Sequence, residues 1–95
     1  MSILTAHLRL SILRVLDSAP ARRANSSVIA SVTHEFGISA SRDQIRTELA
    51  WLAEQGLVTV EELGAVVVAT LTDRGLDVAE GRAVAPGVQR PSPGS

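Results

Sequence analysis

Apolar residues recur along this chain first at intervals of three and four, then of two, then of three and four again. Leu4, Leu8, Ile12, Val15, Leu16 and Ala19 keep helical spacing, so residues 3–18 are expected to form a helix ended by Pro20, whose ring removes the amide that a further turn needs. Ile3, Leu10 and Leu13 fall on a second side of it, which calls for cover from another helix or another chain. PARRAN, residues 20–25, reads as a loop or short extended piece. Asn25, Ser26 and Ser27 offer side-chain oxygens to cap a second helix, marked by Val28, Ile29, Val32 and Phe36 and closed by Gly37. A third helix starts at Ser41, where Ser41 and Gln44 have capping-box spacing and each can satisfy an amide the other leaves free. Along it Ile45, Leu49 and Leu52 share one face, Asp43, Arg46, Thr47 and Glu54 project from the far side, and Gly56 closes the element.

LVTV (57–60) and AVVVATL (65–71) are rich in β-branched residues and flank EELG, the signature of an antiparallel hairpin. Thr72 then caps a fourth helix over DRGLDVAEGRAV, residues 73–84, in which Gly75 and Gly81 each cost about 1 kcal/mol relative to alanine. From Pro86 onward, PGVQRPSPGS lacks the apolar content to fold, so residues 1–85 are expected to form one domain and 86–95 a disordered tail. The chain's 95 residues, 45% hydrophobic, suffice for a single core.

The order of elements is that of a winged helix-turn-helix: mostly α with a small β-hairpin, a three-helix core followed by wing and C-terminal helix. LAEQGLV, Leu52 to Val58, resembles the L-x-x-x-G-L-V that ends the recognition helix and enters the wing in MarR-like and ArsR-like regulators. LTDRG, Leu71 to Gly75, resembles the L-T-x-x-G that follows their wing. The stretch from Ser41 to the C-terminal RPSPG is also similar to small winged-helix proteins of Mu-like transposable phages.

This resemblance implies a phage or prophage transcriptional regulator that binds double-stranded DNA sequence-specifically, with residues 41–55 as recognition helix; a homodimer is expected because two half-sites multiply a modest affinity and the first helix presents apolar residues on more than one side. The motif alignment places Ser41, Arg42, Gln44, Arg46 and Thr47 toward the major groove. Arginine can donate two parallel bonds to guanine and glutamine can bond adenine on two atoms, each such pair contributing about 1–3 kcal/mol of discrimination. Ser41 or Thr47 can bond a phosphate or pack against a thymine methyl.

Charge modifies the expectation. With a formal net charge of −1, the molecule as a whole does not attract a polyanion, so the attraction has to be local. Residues 1–23 carry Arg9, Arg14, Arg22 and Arg23 against Asp17, whereas residues 61–80, in the wing and last helix, carry Glu61, Glu62, Asp73, Asp77 and Glu80 against Arg74. An acidic wing tip is repelled by the DNA backbone, so the wing is expected to stay back while Arg22, Arg23, Arg42 and Arg46 supply the phosphate attraction.

Other chemistry finds little support. There is no cysteine, which removes disulfides, thiolate catalysis and the thiolate ligands of ArsR-like metal sensing, and which suits a cytoplasmic location. His7 and His34 are far apart in sequence, so neither metal nor cofactor is expected. No nucleophile elbow and no phosphate-binding glycine loop occurs, so the protein is not expected to be an enzyme. Arg9 and Arg14 interrupt the N-terminal apolar run, against a signal peptide, and no stretch approaches the ~20 apolar residues of a membrane span. Trp51, at the flank of the core stripe, is expected to pack against the wing or another subunit. The rival reading keeps the fold without DNA: a non-catalytic interaction module docking a partner protein through helix 1 or the Trp51 flank.

Overall fold

A computed structural model describes residues 3–91. Helix α1 (Ile3–Ser18) leads through a 3-10 turn (Pro20–Arg22) into a short strand β1 (Arg23–Asn25), followed by α2 (Ser26–Glu35), α3 (Arg42–Glu54), strands β2 (Val58–Leu63) and β3 (Val66–Leu71), and α4 (Asp73–Ala79). The three strands form an antiparallel sheet in the order β1-β3-β2, and the mostly helical whole is a winged helix-turn-helix.

Helix α1 packs against α2, α4 and β3, while α3 packs against α2 and β2. Ile12, Leu13 and Leu16 of α1 meet Ile29 of α2 and Ile45, Leu49 and Leu52 of α3 in the core, all fully buried. Each such side chain contributes about 1.5–3 kcal/mol relative to exposure, so this contact carries much of the fold.

Local chemistry sets the helix ends. Asn25 caps α2, its Oδ1 accepting from the Val28 amide at 2.9 Å. The neighbouring Ser26, buried, instead accepts from the Val67 amide at 3.2 Å and ties α2 to β3. At the far end Gly37, with φ +85°, lets the Ile38 amide reach back to the Thr33 carbonyl. Ser41 and Gln44 make the expected capping box, with bonds of 3.0 and 2.8 Å.

The two motifs that flank the wing interlock. The Thr72 hydroxyl donates to the Gly56 carbonyl at 2.8 Å and accepts from the Gly75 amide at 3.0 Å, while the Thr72 amide donates to the Leu57 carbonyl at 3.1 Å. The start of α4 is thereby bolted to the end of α3, and the wing between them becomes a closed excursion. Gly75 sits so close to this junction that a Cβ there would lie 2.0 Å from the Leu57 carbonyl oxygen.

Leu10 and Leu13, on the second side of α1, are buried with α4 packed against that helix, so of the two expected covers they have another helix. Other expectations need correction. Val28 and Phe36 keep helical spacing but point outward; Phe36 is 71% exposed. Glu61 and Glu62 lie within β2, paired with Val68 and Val67, and the turn is Gly64-Ala65. Helix α4 stops at Ala79, short of the expected residue 84. Residues 86–91 are no free tail: Ala85 and Val88 are buried and the Gln89 amide donates to the Ala6 carbonyl at 3.1 Å. Two small apolar side chains and backbone bonds hold what composition alone marks as unfoldable. Residues 92–95 of that expected tail lie outside the described residues.

Gly75→Ala tests the interlock. Helix propensity alone predicts a gain of about 1 kcal/mol. The Cβ would also lie 2.7 Å from Leu71 Cδ1, and overpacking of this kind costs about 1–3 kcal/mol, so urea denaturation is expected to show a less stable variant. A more stable variant would mean that α4 does not press on Leu57.

Candidate nucleic-acid interface

At about 100° per residue, the buried stripe of α3 divides its remaining surface into two flanks and a crest. Arg42 and Arg46 occupy one flank, Gln44, Glu48 and Trp51 the other, and Asp43, Thr47, Ala50 and Glu54 the crest between them. Arg42 and Thr47 are exposed and Arg46 is half-buried. Among the described residues neither arginine has an ion-pair partner.

Ser41 and Gln44, expected as base readers, are exposed but already employed. Gln44 Oε1 accepts from the Ser41 amide, and Ser41 Oγ accepts from the Gln44 amide. A two-point bond to adenine uses Oε1 and Nε2 of glutamine, and the capping box already occupies one of the two lone pairs of Oε1. Glu48 does not oppose the two arginines as its formal charge implies; it turns to the opposite flank and pairs with Arg9 of α1 at 2.6 Å.

The structure divides the four expected phosphate-attracting arginines. Arg23 pairs with Glu61 across the sheet at 3.4 Å, both side chains well exposed. Arg22, with positive φ in the 3-10 turn, lies where its charge acts on Asp17 and Glu80. That turn packs against α1 and β3, whereas α3 packs against α2 and β2. Arg42 and Arg46 thus form a pair by themselves.

Sequence reading missed what faces Arg42. Ser27, Ser31 and His34 line, with Ala30, Glu35, Ala40 and Arg42, an open groove of about 490 Å³ between α2 and the start of α3. The signal was the spacing of the three polar residues, one helix face away from buried Ile29 and Thr33. His7 lies elsewhere, beside Phe36 and Ile38. Among the described residues no group of three or more metal-ligating side chains converges. Trp51 is half-buried against the core; its ring lies under the Arg9 guanidinium, 3.7 Å from centroid to Cζ, and beside Gly87.

The phage Mu protein gp26, itself uncharacterized, is 50% identical over 91 residues, covering 96% of this chain and 94% of that protein. The chain belongs to the gp26 family. No protein-family model matches it. Among solved structures, this gp26-family protein is similar to a MarR family transcriptional regulator from Streptomyces coelicolor in complex with DNA, with 26% identity and a TM-score of 0.66 over 84% of this chain and 48% of that one. PadR from Bacillus subtilis in complex with operator DNA gives 26% identity and a TM-score of 0.63, covering 93% of this chain and 52% of that one. The gp26-family chain spans about half the length of these two regulators.

Around Arg22 the gp26-family chain gathers a charge cluster. Burial and a hydrogen bond with Glu80 raise the Asp17 carboxyl above the ordinary carboxylate range, while the hydrogen bond from Arg82 lowers Glu80. Arg82 also bridges to Asp77 at 3.0 Å, and both acids raise it. A raised carboxyl binds its proton more tightly folded than unfolded. Its stabilising effect is therefore present at low pH and is lost as pH rises through the raised value, leaving a penalty at pH 7. Asp17→Asn keeps a donor toward Glu80 and deletes that charge. Its melting temperature is expected to exceed wild type at pH 7, with the gap closing toward pH about 4. A variant less stable than wild type at pH 7 would contradict this.

Proposed function

We propose that this protein is a sequence-specific regulator that binds duplex DNA as a homodimer, α3 lying in the major groove. The observation that carries this reading is the flank of α3 on which Arg42 and Arg46 stand unpaired, on a helix anchored from behind and capped at its entry. The two DNA-bound regulators of the same fold support it. Arg46 and Arg42 donate to guanine or to phosphate, and Thr47 meets a base edge or thymine methyl. Ser41 and Gln44 shape the helix entry and retain the capacity to touch a phosphate. Ser27, Ser31 and His34 extend the contact line along α2 with donors to the backbone. Arg22 and Arg23, held among acids, contribute long-range attraction at most, and the acidic β2 stands off.

Occupancy of an operator then blocks or recruits polymerase; no catalytic step, metal or cofactor takes part, and a DNA target places the protein in the cytoplasm. No helix of the described residues is long and apolar enough to cross a membrane. Ile3, Leu4 and Phe36, 81%, 78% and 71% exposed, supply the apolar surface for pairing two copies. The same exposed residues, with the acidic β2, favour the second reading, a module that docks a partner protein.

Selection from a random duplex library, followed by binding across a salt series, separates the two. The regulator enriches a palindromic site and loses affinity steeply as salt rises; a docking module enriches nothing even at low salt. Arg46→Ala is expected to weaken the selected duplex by about 1–3 kcal/mol and to relax preference at one position. Its thermal stability should stay within about 0.5 kcal/mol of wild type. An Arg46→Ala protein that binds as before would remove Arg46 from the interface.

A further inference from the structure

Arg9 of α1 is only 7% exposed, an unusual place for a guanidinium. Its Nε donates to Glu48 Oε1 at 2.6 Å, its Nη1 donates to the Gly87 carbonyl at 3.1 Å, and its plane lies over Trp51 at 3.7 Å. Glu48 and Trp51 are three residues apart and so adjacent on α3. One planar group therefore grips the helix at two points while holding a third element, the segment 84–91. That segment is built for the position. Gly87 has φ +97°, and a Cβ there would lie 2.8 Å from the Trp51 ring and 3.1 Å from Arg9 Nη1. Ala85 and Val88 are buried on either side of it, and Gln89 bonds to α1 at Ala6.

We propose that Arg9 is a positioning residue for duplex recognition: with the 84–91 segment as backing, it fixes the rotation of α3 about its own axis and so the aim of Arg42 and Arg46. This rests on the duplex-reading assignment above. The core stripe of Ile45, Leu49 and Leu52 resists separation, but apolar contact has no direction. A charge-assisted, stacked guanidinium fork does have direction. On a helix about 10–12 Å across, a rotation of about 10° moves a surface group by roughly 1 Å, whereas a binding constellation tolerates about 0.5 Å. The clamp grips the flank opposite the two arginines, so it sets their angle while leaving their surface open. A buried ion pair is commonly replaceable by apolar residues without loss of stability, so stability alone does not account for this one.

The test compares wild type with Arg9→Met/Glu48→Leu, which removes one positive and one negative charge and leaves the net charge unaltered. The readouts are the affinity ratio between the selected and a scrambled duplex, the salt slope for each, and the emission of Trp51, the chain's only tryptophan. The ratio is expected to fall about tenfold with the salt slope unchanged, because aim is lost while phosphate contacts persist. A cooperatively folded double variant that discriminates as wild type does would overturn the proposal. If the double variant has no cooperative thermal transition, Gly87→Ala decides, since it displaces the backing segment and leaves α3 intact. A shifted Trp51 emission with a reduced ratio supports the clamp. Wild-type discrimination, or an emission that does not move, overturns it. A wild-type protein that prefers no duplex would instead sink the regulator assignment and is read from its own binding curve.

Discussion

The burial of the aliphatic stripe of α3 in the core that it shares with α2 and with the leucine and isoleucine face of α1 is the constraint on which the rest depends. With Ile45, Leu49 and Leu52 fully buried, the stripe decides which side of α3 turns inward and which side chains are left outside, while the finer angle of the helix is left to directional contacts. The outward groups then differ by flank. Arg42 and Arg46 stand alone on one side, whereas Glu48 and Trp51 on the other are absorbed by Arg9. The helix is therefore asymmetric in its contacts as well as in burial: one flank is held by Arg9, while among the described residues the other carries no ion pair.

The wing belongs to the same logic. Because Thr72 closes onto Gly56 and Leu57, the hairpin leaves and returns at one point, and its strands act as a lid on the end of α3. Its inner positions, Val67, Ala69 and Leu71, complete the core, while its outer half carries Glu61 and Glu62. An anion-repelling wing next to a helix with two unpaired arginines concentrates any attraction for a polyanion on α2 and α3.

Much of this was legible in the sequence where the signal is short-range. Caps at Asn25, Ser41 and Thr72, stops at Gly37 and Gly56, and the change of period at residue 57 all act within a few residues, and they set the element order. The candidate site was legible only in part. Arg46 and Thr47 stand off the buried stripe as helix periodicity has them, and Arg42 is exposed where the motif alignment put it, but which Gln44 atom the capping box engages, Oε1, shows only in the folded helix end. The pairing of Glu48 with Arg9 joins residues 39 apart, and no local pattern announces it. Phe36 and Val28 keep apolar spacing yet face outward, because α2 is covered on one side only. The folding of residues 86–91 depends on a slot beside Trp51 that exists only once α1 and α3 have met.

The most direct measurement is amide chemical-shift mapping of the protein with its selected duplex. The account predicts the largest perturbations at Arg42 to Thr47 and at Ser27, Ser31 and His34 across the groove, with the β2-β3 turn and α4 scarcely affected. Perturbations centred on the turn, on α4 or on the exposed Phe36 surface, with α3 silent, would contradict it.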